Sequence, residues 1–115
     1  MSGAGEPVIR SEQHGNAAVV RIEGDIDMSG SPRLRETLRE VLSTAPRRIV
    51  IDLSNVSYMD SSGLATMVEA MKNAGTRSIR LALLGMTPRV RAIFEIARLD
   101  QYFPIVGTMD EAMAV

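Results

Sequence analysis

The sequence predicts an α/β fold: a single domain whose N-terminal antiparallel hairpin leads into a mostly parallel, sequentially ordered sheet, with helices mainly on one face. Two observations predict it. The first is alternation, short β-branched runs giving way to stretches of helical periodicity in the order β, β, α, β, α, β, α, β, α. The second is the unequal wetness of the strand faces. Ile49, Ile51 and Leu53 oppose Val50 and Asp52, while Ile79, Leu81 and Leu83 oppose Arg80, Ala82 and Leu84. Parallel strands sandwiched between two helical layers are apolar on both sides, so this asymmetry puts most helices on one face. Right-handed crossovers confined to one face add each strand beside the last. A length of 115 residues suits one domain.

Residues 1–6, rich in Gly and Ser, read as a loose tail, with the domain spanning 7–115. Strand-like segments at Val8 to Glu12 and Ala17 to Glu23 flank "HGN", a hairpin turn signal. In "SGSPRLRETLREVLSTAP", Ser31 is the expected N-cap, Pro32 opens the helix, and Leu34, Leu38, Val41 and Leu42 form its stripe. "RRIVIDLSNV" is the strongest strand. A second helix is predicted from about Ser62 to Ala74, with Gly75 just past its end and Leu64, Met67, Val68 and Met71 on one face. After the strand "SIRLALLG", Thr87 and Pro88 open a third helix whose inward stripe is Val90, Ile93, Phe94 and Ala97. "FPIVG" is a last short strand, and Thr108 with Glu111 has capping-box spacing for a final helix at "MDEAMA".

Several function classes fall away on inventory. The formal net charge of -1 and the scattering of basic residues leave no basic face for a phosphate backbone, so no nucleic-acid partner is expected. No apolar run is long enough to cross a bilayer, so no direct membrane insertion is expected. Cysteine is absent, which removes disulfides and thiolate metal sites. "MSGAGEPVIR" has no apolar signal core, which makes cytoplasm the expected compartment. A monomer is the expected free state.

In a sheet of this kind the loops after the parallel strands share the edge where open α/β folds place their sites. That edge collects "GDIDMSGS", "NVSYMDSSG" and "GMTP", and with them Asp25, Asp27, Met28, Met59, Asp60, Ser61, Ser62, Met86 and Thr87. Acids and hydroxyls among adaptable methionines suit a protein-binding face; the plainer reading has the methionines filling core beneath the loops. Serine catalysis is not supported. Only half of a G-x-S-x-G elbow is present, and His14, the sole histidine, lies in the hairpin turn, roughly 20 Å from the serine edge for a strand of about six residues. No G-x-x-x-x-G-K-[ST] phosphate loop occurs, and the carboxylates offer no metal spacing beyond the weak pair Asp25 and Asp27. By spacing alone, "DSSG" at a helix start reads first as an N-cap, its commonest use, and second as a serine placed for modification.

These same residues carry a family resemblance. "VVRIEGDIDMSGSPRLRETL", "RRIVIDLSNVSYMDSSGLATMVEAMKNA" and "LALLGMTPRVRAIFEIARLDQYFPI" resemble the STAS domain, specifically the small stand-alone anti-sigma factor antagonists of bacteria. The most specific element is D-S-[ST]-G-L after a hydrophobic strand, followed by G-[ED]-[LI]-D at Gly24 to Asp27. The likeness runs from about Val8 to Met113.

The resemblance implies that the unmodified domain, not itself an enzyme and carrying no cofactor, binds an anti-sigma factor that is a serine kinase and so frees a sigma factor. It implies phosphorylation of Ser61, loss of binding as a result, and restoration by a PP2C-type phosphatase. Asp60, Ser62 and Gly63 match the flanking motif and Asp27 the neighbouring contact loop; Ser62 is the alternative acceptor. Rival roles for the same fold are a STAS subunit of a signalling scaffold or lipid-transport ATPase complex, and a small-ligand module for a nucleotide or lipid.

Overall fold

The computed structural model describes residues 6–115; the predicted tail lies, but for Glu6, outside them. Five strands and four helices alternate: β1 (Val8–His14), β2 (Ala17–Glu23), α1 (Ser31–Ser43), β3 (Arg48–Asn55), α2 (Ser61–Thr76), β4 (Arg80–Leu84), α3 (Pro88–Ile96), β5 (Ile105–Val106) and α4 (Met109–Ala114). The sheet order is β1-β2-β3-β4-β5, with β1 antiparallel to β2 and every later pairing parallel. This is the predicted sequential topology.

The drier strand faces found their helices. Val20, Ile22, Ile49, Ile51, Leu53, Leu81 and Leu83 pack in one cluster with Leu34, Leu38 and Leu42 of α1, Met67 and Ala70 of α2, and Val90 and Phe94 of α3. Among the described helices only α4 crosses to the other face, where Ala112 lies on Val19, Val50, Ala82 and Leu84. Asp52, on that second face, is buried and accepts a hydrogen bond from the Arg21 guanidinium at 2.7 Å, so the carboxyl is not left without a partner.

Four local expectations need correction. Ser31 is not the cap of α1. Gly30 holds that position, a Cβ there would fall 2.5 Å from the Pro7 ring, and Asp27 instead accepts the Ser29 and Gly30 N–H groups from outside the helix. Gly75 does not end α2. The helix runs through it to Thr76, and the left-handed residue is Ser78 at φ 57, with Ile79 N–H returning to the Ala74 carbonyl. Ala97 is exposed, and half-buried Leu99 folds back to close α3 instead. Finally, β1 extends to His14, because the turn is only two residues, Gly15 and Asn16. Thr87 and Thr108 cap α3 and α4 as predicted, Thr108 with Glu111 in a full capping box.

Candidate functional site

The loops after β2, β3 and β4 meet at one edge because the backbone stitches them together. Ile26 N–H donates to the Tyr58 carbonyl at 2.9 Å and Asp60 N–H to the Ile26 carbonyl at 3.1 Å, making a single parallel bridge between Ile26 and Met59. Both bridging side chains turn inward and are wholly buried. Their neighbours therefore turn outward, by the two-residue alternation of extended chain: Asp25 and Asp27 on one side, Tyr58 and Asp60 on the other. The third loop is tied in by Thr87, whose hydroxyl donates to the Val56 carbonyl and accepts from Val90 N–H, both at 3.3 Å.

Helix α2 starts from this bridge. Asp60 is its N-cap, Oδ1 accepting from Ser62 N–H at 2.9 Å and Gly63 N–H at 3.2 Å. The same oxygen accepts the Ser62 hydroxyl, so Ser62 is half-buried and committed to the cap. Ser61, the first helical residue, is exposed, and among the described residues its hydroxyl has no hydrogen-bond partner. The two adjacent serines are thus chemically distinct.

Asp27 forms a similar turn. Hydrogen bonds from the Ser29 hydroxyl, then from the Ser29 and Gly30 N–H groups, hold its carboxyl below the ordinary aspartate range. Lowering the folded-state pKa makes this turn's contribution complete above the unfolded-chain value and lost as pH falls through the lower folded value. In an NMR titration the Ser29 and Gly30 amide shifts are therefore expected to hold steady down to the carboxylate range and move only below it. Asp27→Asn should remove that transition, and a midpoint at or above the ordinary aspartate value would contradict the geometry.

The predicted site residues do not all face outward. Asp27, Met28, Asp60, Ser61, Ser62 and Thr87 reach the surface of this edge, Met28 with 76% exposure. Met59 and Gly63 are buried and lie beneath it, so they shape the rim without presenting a side chain to a partner. Met86 is half-buried against the core. Tyr58, outside the set the sequence predicts, joins them at the rim; it is 38% exposed, and the Arg89 guanidinium lies 5.9 Å from its ring centre. Its signal was its place one residue before an inward Met59. His14 is the last residue of β1 and not part of the turn itself, and it lies 2.9 Å from Glu12. Among the described residues no three His, Cys, Asp or Glu side chains gather as a metal site, and no helix is long and apolar enough to cross a membrane.

Comparison with known proteins gives this arrangement a lineage. The STAS domain pattern matches residues 8–112. A STAS-domain containing protein from Pseudomonas aeruginosa is 33% identical over 91 residues, covering 79% of this chain and 89% of that one. The anti-sigma-B factor antagonist of Staphylococcus aureus is 36% identical over 80 residues, 70% of this chain and 74% of that one. A crystal structure of an anti-sigma factor antagonist from Mycobacterium paratuberculosis superposes with a TM-score of 0.87 at 28% identity, covering 95% of this chain and 92% of the other. The chain belongs to the STAS domain family, among its anti-sigma factor antagonists.

Proposed function

We propose that the unmodified domain docks through this rim onto an anti-sigma factor that is also a serine kinase, displacing a sigma factor, and that phosphorylation of Ser61 abolishes the docking. The staphylococcal relative is named for antagonising an anti-sigma factor, and that partner class is carried over here. The observation that carries the choice of residue is the contrast between the two serines. Ser61 offers a solvated hydroxyl with no partner among the described residues, whereas modifying Ser62 would break the Asp60 cap and set a phosphate against its carboxylate. In the transfer, Ser61 Oγ bonds to the γ-phosphorus of ATP, the bridging P–O bond breaks to release ADP, and the hydroxyl proton leaves to a base of the kinase. The domain contributes the acceptor and a contact face. A PP2C-type phosphatase hydrolyses the ester and restores docking.

The test is incubation of the purified chain with candidate kinases from the same cell and ATP, with the phosphate located by mass spectrometry. Phosphate is expected on Ser61, undiminished in Ser62→Ala and absent from Ser61→Ala. Full incorporation into Ser61→Ala would move the switch elsewhere. Recovery of a transporter ATPase in a pull-down, or micromolar binding of a nucleotide or lipid, would replace the reading with one of its rivals.

A further inference from the structure

Strand β1 is an outer edge of the sheet, hydrogen-bonded to β2 alone among the described strands, and six of its seven residues are exposed. The His14–Ala17 pair closes the two-residue turn with Gly15 at φ 65, the arrangement of a type II′ hairpin, whose closing pair exchanges both of its hydrogen bonds. Alternation from that pair turns the backbone groups of Val8, Arg10, Glu12 and His14 toward β2 and those of Ile9, Ser11 and Gln13 outward.

Proteins blunt such edges with charge. Here, however, the two charges are opposite in sign and two residues apart, so Arg10 and Glu12 share one face. Arg10 sits directly across from Arg21, a like-charge pairing, and among the described residues no carboxylate answers it. Arg21 itself has Asp52 at 2.7 Å and Glu12 at 3.5 Å.

We propose that two copies of this chain associate through β1, antiparallel and centred on Ser11, to form one continuous sheet. Charge selects the register. Centred on Ser11, Arg10 of each copy faces Glu12 of the other; slipping two residues either way sets Arg10 against Arg10 or Glu12 against Glu12. Length selects the same register, because Ser11 is the midpoint of Val8–His14. The outward residues then pair Ile9 with Gln13 and Ser11 with Ser11, exchanging about six backbone hydrogen bonds. The charged pairs fall at the alternate positions, where opposed side chains come closest. On the other face, Ile9 of the second copy arrives beside Gln13, at a groove of about 270 Å³ between β1 and α1 that includes Ala18 and Val41. The two-fold axis points the serine rims in opposite directions, so each copy remains open to its own partner.

Sedimentation equilibrium of the full chain is expected to show a concentration-dependent dimer of the 12.5 kDa chain. Arg10→Glu and Glu12→Arg each place like charges face to face at both pairs and are expected to weaken association at least about tenfold. An equimolar mixture of these two variants restores opposite charges at every pair and is expected to associate as the wild type does, circular dichroism showing both to be folded. Should a charge variant fail to fold, Ser11→Pro reads the same edge: it removes an outward N–H, spares the ladder to β2, and is expected to be monomeric. A wild type that stays monomeric at millimolar concentration overturns the proposal. So does a dimer that survives both charge variants, or a mixture that does not associate.

Discussion

Gly63→Ala is expected to destabilise the domain by about 1–3 kcal/mol through overpacking. A Cβ at this position would lie 2.5 Å from Met59 Cγ, 2.9 Å from Ile26 Cγ2 and 3.3 Å from the Ile26 carbonyl oxygen. None of these can yield cheaply. Met59 and Ile26 are wholly buried, Ile26 is β-branched and stiff at χ1, and its carbonyl is held by Asp60 N–H. Relief therefore requires the first turn of α2 to lift off the bridge, carrying Asp60 and Ser61 away from Asp27. Gly75→Ala is the control. It lies in the same helix with nothing within 4 Å of its would-be Cβ, so the ordinary helical advantage of alanine applies and a gain of about 0.5–1 kcal/mol is expected. Urea unfolding of the two variants should move the midpoint in opposite directions. A neutral or stabilising Gly63→Ala would mean that the rim is not built on close packing over Met59.

The contrast between Gly63 and Gly75 also shows where sequence reasoning ends. Periodicity identified every helix and strand, and capping chemistry located Thr87 and the Thr108–Glu111 box, because those signals act within a few residues. Ser31 and Gly75 do not take the parts their local sequence predicts, because the deciding contacts are distant. The cap of α1 is a glycine on account of Pro7, more than twenty residues earlier, and the end of α2 is set by the return of Ile79 to Ala74. The site was legible as a set of loops but not as a surface. Nothing local distinguishes Met28 from Met59, yet the bridge to Ile26 buries one and leaves the other in water. The same bridge brings Tyr58 to the rim. Its position in "SYMDSSG" is visible in the chain, but its orientation depends on a pairing with a segment some thirty residues away.

Phosphate on Ser61 is expected to reduce affinity for the docking partner by about a hundredfold or more while leaving the fold nearly unchanged. The modification adds a charge of about -1.5 to -2. It does so at an edge that already presents Asp25, Asp27 and Asp60, and beside a helix terminus whose Ser62 and Gly63 N–H groups are taken by the Asp60 carboxylate. The helix dipole compensates by no more than about 1 kcal/mol at an exposed end. Ser61 is exposed and its hydroxyl has no partner among the described residues to lose on modification, so the unfolding free energy should shift by less than about 1 kcal/mol. Under a docked partner the balance differs, since a charge buried without a match costs several kcal/mol and each ~1.4 kcal/mol is tenfold in affinity. Ser61→Asp carries about half the charge and is expected to lose at least about tenfold. Calorimetric titration of both forms into the kinase, repeated at higher salt, separates burial from mere repulsion. Long-range repulsion fades beyond a Debye length of about 8 Å at physiological ionic strength, whereas a desolvation penalty persists. Equal binding by the two forms would put Ser61 outside the footprint, and a large fall in the unfolding midpoint would shift the switch from the interface to the fold itself.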